Sequence, residues 1–319
     1  MRKSGQTVTL PADTAVSLSC VTKTFIQKQP PGSVRNFFRP ERKTVSALDD
    51  VSFSVKRGEL VAYAGPNGAG KSTTIKLLAG MLVQNSGEIS VLGMSPVKNR
   101  ITLMRSLGVL FGNRTELWWD HPVSSSYRWK KKVWDIPENV FSEMENLVLD
   151  MLDIRPFYKT FARELSLGQR MRADLGMMLL HRPQLILLDE PTLGLDVLAK
   201  RRIIGFLKQL NESEGTTIIV TSHDMDDLEE MTRRIILLSN GKIAFDNSFA
   251  ALRGGLGCTR RAIVSFNDGS RREILYDDTG RLLRDLSLLS NIEDISFTQT
   301  SLEEGLANLF EKWRNAESR

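Results

Sequence analysis

Eight consecutive residues constrain this chain more than any other part of it. They match the pattern G-x-x-x-x-G-K-[ST] of phosphate-binding loops in full and are Gly65, Pro66, Asn67, Gly68, Ala69, Gly70, Lys71 and Ser72. The apolar run 60–64 before them predicts a buried strand, and the run that opens at Thr73 predicts a helix. Glycines let the backbone fold tightly around an anion, Lys71 can reach phosphates, and the Ser72 hydroxyl suits Mg²⁺. The stretch therefore predicts nucleotide binding, whereas the use of the nucleotide must be inferred from other residues.

Composition narrows the class of protein. The 319 residues suffice for one large domain and a smaller one, and 41% hydrophobic with 25% charged residues is typical of soluble globular proteins. Two distant cysteines, Cys20 and Cys258, indicate a reducing compartment rather than a disulfide framework. No apolar run approaches the roughly 20 residues of a membrane helix, and the basic N-terminus lacks the apolar core of a secretory signal. We therefore expect a cytosolic chain that meets a membrane through a partner or its surface.

Positive charge is concentrated near the start of the chain. Residues 1–45 carry eight lysines and arginines against two acidic residues, although the formal charge of the whole chain is only +5. Residues 1–14 are polar and predict a disordered tail, and 26–45 form a predicted basic insert in which Pro30 and Pro31 exclude regular structure. Such an insert either approaches an anionic surface, such as lipid headgroups or nucleic acid, or is a solvated loop.

Short apolar runs alternate with helical patterns through most of the chain, which predicts a mostly parallel sheet covered on both faces. The helical period is continuous over about 121–165, which predicts a helical subdomain within an ATP-binding domain of residues 15–253. The predicted strands are 16–25, 51–55, 60–64, 87–93, 107–111, 185–188, 217–220 and 235–238.

A glycine-rich linker, Gly254 to Gly257, is predicted to begin a second region. Beyond it, 262–266, 272–276 and 292–297 have the composition of short strands, and 302–313 that of a closing helix. Residues 254–319 are therefore expected to form a small α+β appendage without catalytic residues, which supports dimerisation or regulation.

Two acidic residues follow a buried strand. Asp189 and Glu190 come directly after an apolar run, at the strand end where α/β sheets place their ligands. Asp189 is suited to hold Mg²⁺ through water, and Glu190 to polarise an attacking water. A strand that ends in two acids is by itself more often a solvated end or a helix cap. Downstream of a phosphate-binding loop, the catalytic interpretation is the better one.

Several motifs in a fixed order carry a family resemblance. After the phosphate-binding loop come Leu165-Ser166-Leu167-Gly168-Gln169, Asp189-Glu190-Pro191, Leu193-Gly194-Leu195-Asp196 and Thr221-Ser222-His223-Asp224. From about Val16 to Ala250 the chain resembles the ATP-binding subunit of an ABC transporter. The resemblance implies an α/β P-loop fold of ABC type, with a parallel core, an antiparallel β subdomain and a helical subdomain. It also implies ATP and Mg²⁺ as ligands, and ATP hydrolysis coupled to transport.

The resemblance assigns roles at a shared ATP site. Ser166 and the backbone of Gly168, with Gln169 beside them, would bind the γ-phosphate of ATP held by a second copy, and Asp196 would link the two sites. The motif Leu165 to Gln169 is called the signature below. Because the chain has one phosphate-binding loop and one signature, the implied unit is a head-to-tail homodimer. His223 would contact the γ-phosphate and help to position the water.

An aromatic residue is expected to stack on adenine. Phe25 resembles that residue, with Phe37 and Phe38 as competitors and core packing as the alternative.

Two positions depart from the family pattern. Leu167 stands where a glycine is usual, whereas Gly168, the better placed for close phosphate approach, is kept. Asn113 stands where the family has a glutamine that reaches Mg²⁺ and reports the nucleotide state to the membrane subunit. Asparagine is one methylene shorter, a loss of reach of about 1.5 Å, which predicts a weaker or water-mediated Mg²⁺ contact. An Asn113→Gln variant with unchanged ATPase rate and Mg²⁺ dependence would contradict this prediction.

An aromatic stretch follows Asn113. Leu117 to Pro122 lies where ABC ATPases receive the permease, so 113–122 is the expected contact; a helical-subdomain core is the alternative. Tyr127 to Lys132 adds a basic, aromatic stretch that either approaches lipid headgroups or is solvated. A further resemblance, to the bacterial branch that exports drugs or antibiotics, is carried by five stretches: Trp118-Trp119-Asp120, 165–174, 223–227, the basic insert after Phe25 and the Ser301-Leu302-Glu303-Glu304 terminus. This implies a peripheral location on the inner face of the cell membrane and no nucleic-acid partner.

Three rival functions are open at this point. A soluble ABC protein that acts on ribosomes or DNA would be expected to have tandem ATPase domains or long coiled coils, and the chain has neither. A nucleotide sensor without catalysis is disfavoured because Lys71, Asp189 and Glu190 are intact. An ABC importer subunit is separable from an exporter subunit only through its permease.

Overall fold

The computed structural model describes residues 13–28, 42–112, 114–256, 260–276 and 279–299, with positions 302, 303, 305, 306 and 309. The strands are β1 (Thr14–Lys28), β2 (Arg42–Lys56), β3 (Leu60–Ala64), β4 (Ser86–Val91), β5 (Leu107–Phe111), β6 (Leu185–Asp189), β7 (Thr217–Thr221), β8 (Arg234–Ser239), β9 (Lys242–Ser248), β10 (Arg260–Phe266), β11 (Arg271–Tyr276) and β12 (Ile292–Gln299). The helices are α1 (Lys71–Leu78), α2 (Arg100–Met104), α3 (Val123–Val133), α4 (Glu138–Met151), α5 (Leu167–Leu179), α6 (Val197–Glu214), α7 (Met225–Met231), α8 (Phe249–Leu256) and α9 (Thr279–Ser287).

A six-stranded sheet in the order β5-β6-β7-β3-β8-β9 positions the functional residues. Its pairs from β5 to β8 are parallel, so the carboxyl ends of these five strands lie at one edge. Nearly every side chain of β3, β6 and β7 is buried, as expected for strands covered on both faces. The predicted parallel α/β core is confirmed.

A separate antiparallel sheet has the order β2-β1-β4 and shares a core with α1. Its strands β1 and β2 are longer than predicted, because the flanks of the basic insert pair with each other: Phe25 faces Val45 and Lys28 faces Arg42. The two ends of the predicted insert, 26–28 and 42–45, are therefore strand, whereas the irregular structure predicted around Pro30 and Pro31 falls on residues that the structure does not describe. Residues 29–41 lie outside the described part.

Three helices, α3, α4 and α5, form the helical region, joined by short 3-10 turns. Tyr127 on α3 is fully buried, and its hydroxyl donates to Ala173 O on α5 at 2.9 Å. Gly176 permits this approach, since a Cβ there would lie 2.2 Å from the Tyr127 hydroxyl. Lys130 is also buried and pairs with Glu116 at 3.2 Å. The basic, aromatic stretch 127–132 is thus not one exposed face, contrary to its prediction as a lipid-facing or solvated segment.

The chain divides into two compact units, Met1–His223 with Asp227–Asp246, and Asp224–Asp226 with Asn247–Arg319. The second contains an antiparallel sheet, β11-β10-β12, on whose core Leu282 and Leu286 of α9 pack. Gly254 and Gly255 lie within α8 rather than in a linker, so that prediction is wrong there; neither glycine has a positive φ, and buried Phe249 favours the helix. Among the described helices, none combines the length and apolar character needed to cross a membrane.

Candidate ATP site

Glycines shape the phosphate-binding loop in two different ways. Gly65 has φ 151°, and a Cβ there would lie 2.1 Å from Leu238 O; at Gly70, with φ 113°, it would lie 2.4 Å from Ala47 O. These two positions press the loop against neighbouring backbone and exclude any side chain. Gly68 has φ 81° but has open space where its Cβ would be. The loop is therefore held against neighbouring backbone at Gly65 and Gly70, whereas at Gly68 its backbone faces open space.

Lys71 is almost completely buried at the start of α1. Its ammonium group donates to Gly65 O at 2.7 Å and to Pro66 O at 3.2 Å. Burial lowers the pKa of Lys71, and the nearby carboxylates of Glu190 and Asp189 oppose that shift. The side chain thus places a positive charge inside the loop, close to both acids.

The first turn of α1 has no counter-charge of its own. Its N-cap is Gly70, which has no side chain, and no acidic residue lies in the first turn. The partial positive charge of the helix end is therefore not offset by a cap. Ser72 and Thr73, both half-buried, lie in this turn. Of the remaining loop residues, Asn67 is exposed and Ala69 is buried.

The second half of the site is built at the ends of β6 and β7. Asp189 pairs in register with Thr221, whose hydroxyl donates to Asp189 Oδ1 at 2.8 Å and accepts from Glu190 N–H at 3.1 Å. Glu190 has φ 58°, so the chain turns sharply directly after the strand. Gly112 N–H donates to Asp189 O at 2.8 Å, and a Cβ at Gly112 would lie 2.5 Å from Glu190 O.

Glu190 and His223 form a hydrogen-bonded pair. The distance between His223 Nε2 and Glu190 Oε1 is 2.6 Å, which requires a proton on Nε2 because a carboxylate can only accept. The Glu190 side chain is 18% exposed and the His223 side chain 40% exposed, so the pair is open to solvent on the histidine side. Thr221, which orients both acids, has no role in the sequence-based prediction, although it lies in the same quoted motif as His223.

These residues fit an ATP phosphate chain with Mg²⁺. The loop offers backbone amides, a helix end without counter-charge and the Lys71 cation, which are groups that bind polyphosphate. Ser72 and Asp189 offer the oxygen ligands that Mg²⁺ prefers. In the described part, no three His, Cys, Asp or Glu side chains cluster as a metal site. Asn113, the third predicted Mg²⁺ ligand, lies outside the described residues.

The signature begins helix α5 with a capping box. Ser166 Oγ accepts from Gln169 N–H at 3.2 Å, and Gln169 Oε1 accepts from Ser166 N–H at 2.9 Å. Ser166 is exposed, and Leu167, which replaces the usual glycine, is 47% exposed. Gly168 faces the fold, since a Cβ there would lie 3.3 Å from Ala199 Cβ. Gln169 therefore holds the cap in place.

A second helix start lies beside this one. Asp196 caps α6, because its Oδ1 accepts from Ala199 N–H at 2.8 Å. The two starts touch, since a Cβ added to Gly194 would lie 3.1 Å from Leu167 Cδ2. The structure thus brings Ser166 and Asp196 to neighbouring, exposed positions.

Phe25 lies on β1, opposite Val45 of β2. Its ring is 37% exposed, and the ammonium of Lys23 lies 5.2 Å from the ring centroid. Phe25 is therefore not a core residue; of the competing aromatics, Phe37 and Phe38 lie outside the described residues.

Most aromatic side chains that follow residue 113 face solvent. Leu117 is buried, whereas Trp118, Trp119 and Trp129 are between 38% and 49% exposed. The Trp118 and Trp129 rings have centroids 5.3 Å apart, so part of this surface is contiguous. The subdomain-core alternative thus holds for Leu117 and fails for the tryptophans.

One buried acid fastens this segment to α5. Asp174 Oδ1 accepts from Thr115 Oγ1 at 3.0 Å and from Glu116 N–H at 3.0 Å. Burial raises the pKa of Asp174 to about 6, although the bond from Thr115 partly opposes that rise. The sequence-based prediction missed this residue; the only signal was an acid among the apolar residues of α5.

This chain is similar to known ATP-binding proteins. Residues 48–193 match the family profile described as ABC transporter. An energy-coupling factor transporter ATP-binding protein of Lacticaseibacillus paracasei is 33% identical over 65% of this chain and 74% of its own length. A probable multidrug ABC transporter ATP-binding protein of Escherichia coli is 34% identical over 62% of this chain and 34% of its own length. The chain spans 63% and 46% of the lengths of two further curated relatives.

A solved structure shows the same fold. The ATP-binding cassette MJ0796, in a dimeric post-hydrolysis state bound to ADP and Pi, matches with a TM-score of 0.61 at 24% identity. The match covers 73% of this chain and 98% of that structure. With the phosphate-binding loop, the acid pair and the signature in place, this chain belongs to the family of ABC transporter ATP-binding proteins and carries that family's ATPase domain.

Proposed function

We propose that this chain is the ATP-hydrolysing subunit of an ABC exporter, which works as a head-to-tail dimer through a separate transmembrane permease. The observation that carries the proposal is the meeting of Lys71, Glu190 and His223 at one sheet edge, with Glu190 hydrogen-bonded to His223 at 2.6 Å. A phosphate-binding cation beside an oriented carboxylate supports hydrolysis rather than binding alone.

Hydrolysis would use the chain's own groups as follows. The loop amides and Lys71 hold the β- and γ-phosphates, and Glu190 accepts the proton of the attacking water. His223 fixes the direction of the Glu190 carboxylate, because its Nε2 proton is donated to Glu190 Oε1, and its ring would lie against the γ-phosphate. Thr221 keeps Asp189 and the Glu190 backbone in register, because its hydroxyl bonds to both.

Ser72, Asp189 and Asn113 are the residues that would hold Mg²⁺. When bound, the ion neutralises charge that develops on the phosphate oxygens. Because the Asn113 side chain is shorter than a glutamine, its contact with the ion would be weaker or mediated by water.

Dimerisation is proposed from the exposed starts of α5 and α6. Ser166 and Gly168 would meet the γ-phosphate held by the second copy, and Asp196 would link the two sites. Apolar side chains that face solvent in this region support an interface; these are Leu167, Leu193, Val197 and Leu198. Each ATP would then lie between two copies, so hydrolysis would reopen the dimer.

Export is proposed from the sequence resemblance to the exporter branch and from the name of the E. coli relative. The L. paracasei relative is named as an energy-coupling factor transporter protein instead. Trp118, Trp119 and Pro122 would contact the permease, and the chain would lie on the inner face of the bacterial membrane. The cargo class is a drug, an antibiotic or another amphipathic small molecule, and no nucleic acid takes part. The alternative, import, would reverse the direction of cargo movement in inverted vesicles that contain the co-expressed permease.

The variant Glu190→Gln tests the hydrolytic role. It keeps shape and hydrogen bonding to His223 but removes the base, so we expect turnover to fall by about 10²- to 10⁴-fold. Mg-ATP should then hold the variant as a dimer in size-exclusion chromatography. The matched control is Glu212→Gln, on an exposed position of α6, which should leave turnover unchanged. A Glu190→Gln protein that stays monomeric with Mg-ATP and hydrolyses at the normal rate would refute the proposal.

A further inference from the structure

Helix α5 is bonded to the aromatic segment at a buried carboxylate. Asp174 is only 5% exposed, and one of its oxygens receives both the Thr115 hydroxyl and the Glu116 amide. Hydrogen bonds to a buried acceptor are electrostatically stronger than those exposed to water. The residues that directly follow position 113 are thus held by α5, a helix that lies 58 or 59 residues further along the chain.

A second contact lies one helical turn earlier. The Arg170 guanidinium lies over the Trp119 ring, 4.6 Å from its centroid. Residues 170 and 174 are four apart, so both side chains leave the same face of α5. Arg170 also donates to Leu165 O at 3.4 Å, while its buried Nε has no hydrogen-bond partner among the described residues. Stacking on Trp119 is therefore its main contact.

The residues that follow position 113 also contact helix α3. Trp118 N–H donates to Ser126 Oγ on α3 at 2.9 Å, and Glu116 pairs with Lys130 on the same helix. These bonds hold the segment within the helical region. Only α5, however, begins at Ser166, the residue proposed to meet a partner's ATP.

We propose that Arg170 and Asp174 are positioning residues that clamp segment 114–119 to α5, so that the aromatic surface and Ser166 move together. This clamp rests on the proposed function, because it deepens the link between the permease contact and the shared ATP site. Helix α5 has 13 residues and spans about 20 Å, so a tilt of the helix displaces both of its ends. The clamp turns contact at Trp119 into a displacement of the signature without passing through residue 113.

Hydrogen–deuterium exchange on the full chain tests the clamp. The background is Glu190→Gln, with and without Mg-ATP, and the readouts are peptides that cover 165–170 and 114–120. A coupling of typical size predicts that ATP slows exchange in both peptides by about fivefold or more. Asp174→Leu, which removes the acceptor, should abolish the response in 114–120 and leave that in 165–170. Asp174→Asn, which keeps an oxygen acceptor, should retain both responses.

Each outcome decides the matter. A response in 114–120 that persists in Asp174→Leu, or that is lost in Asp174→Asn as well, overturns the clamp while leaving the proposed dimer intact. Should Asp174→Leu fail to fold by circular dichroism, the pair Thr115→Val with Arg170→Met decides by the same criterion, since both side chains are only half-buried. If Mg-ATP does not change hydrogen–deuterium exchange in peptide 165–170 of the Glu190→Gln protein, the proposed dimer is refuted, and the clamp, which rests on it, is refuted as well.

Discussion

Two regions of the molecule fix the positions of their residues by different means. One is the sheet edge that carries the phosphate-binding loop, Asp189 and Glu190, and the other is the helical region of α3, α4 and α5. At the edge, backbone sterics dominate: Gly65 and Gly70 touch neighbouring carbonyls, and Gly112 passes close to Glu190 O. In the helical region, side chains far apart in sequence make the bonds, as Asp174 does with Thr115 and Arg170 with Trp119. A local motif is therefore enough to predict the edge, whereas the helical region follows only from tertiary packing.

The difference also concerns what each region tolerates. Backbone contacts at Gly65, Gly70 and Gly112 leave no room for an added atom, so a change at these positions should act through steric overlap. Buried polar contacts in the helical region depend on ionisation and on donors, so a change there should act through charge. The predictions below test this contrast, from the largest expected effect to the smallest.

Replacing Gly65 with Ala should have the largest effect. The new Cβ would lie 2.1 Å from Leu238 O at a φ that L-residues rarely adopt. Strain of this kind and the backbone overlap together should lower the free energy of unfolding by about 3 kcal/mol or more. Chemical denaturation measures this. ATP binding, followed by isothermal titration calorimetry, should weaken in parallel.

Gly205→Ala is the matched control. Gly205 lies inside α6 with nothing within 4 Å of its Cβ position, so alanine should stabilise the protein by up to about 1 kcal/mol. Equal effects of the two substitutions would refute steric control of the loop.

Asp174→Asn should change how stability depends on pH. The folded pKa of about 6 lies above the usual 3.8, so between these values the folded state keeps a proton that the unfolded chain releases. The native protein therefore loses stability as pH rises from about 4 to 6, and the loss is constant above that range. Asparagine does not titrate, so the Asp174→Asn variant has no such loss. Between pH 4 and pH 7 its free energy of unfolding should therefore rise by up to about 3 kcal/mol relative to that of the native protein.

Chemical denaturation of both proteins at pH 4.5, 6 and 7.5 checks this prediction. A stability difference that stays constant across the three pH values would show that Asp174 titrates normally, and the charge-based half of the contrast would fail.

Thr221→Val should have the smallest effect of the three. The substitution keeps shape but removes the donor to Asp189 and the acceptor for Glu190 N–H, which should cost about 1–2 kcal/mol. If the threonine orients the acids, turnover should fall about tenfold while the KM for ATP stays within twofold, since Lys71 is untouched. Thr192→Val, also at a buried threonine, is the control for burial alone. An equal loss of turnover in both variants would contradict the orienting role.

The sequence predicts the parallel core because β3, β6 and β7 are short, apolar and bounded by turns, which is a local property. It also predicts the neighbourhood of Lys71 and Asp189, since parallel strands bring their carboxyl ends to one edge. Lys130 shows why the contacts of the helical region could not be predicted from the sequence. Its neighbours, Arg128 and Lys131, suggest a solvated face, but α3 turns Lys130 inward to Glu116 and the Trp134 ring. Only the tertiary fold determines which lysine is buried.

The helix α9 illustrates a different gap. Leu282 and Leu286 stand four residues apart, which is a helical signal, yet the segment is short, and its third leucine, Leu283, is exposed. A helix of nine residues gains most of its stability from packing, in this case on β10 and its neighbours. Its sequence alone is therefore a weak predictor.

The capping box at Ser166 limits what can replace this serine. Its oxygen is an acceptor for Gln169 N–H, which leaves the hydroxyl proton to point away from the helix. Aspartate would cap α5 as well but would bring a negative charge toward a phosphate, and alanine would lose both the cap and the donor. Threonine retains both functions. Natural variation at this position should therefore be confined to the two hydroxyl residues, even though the side chain is exposed.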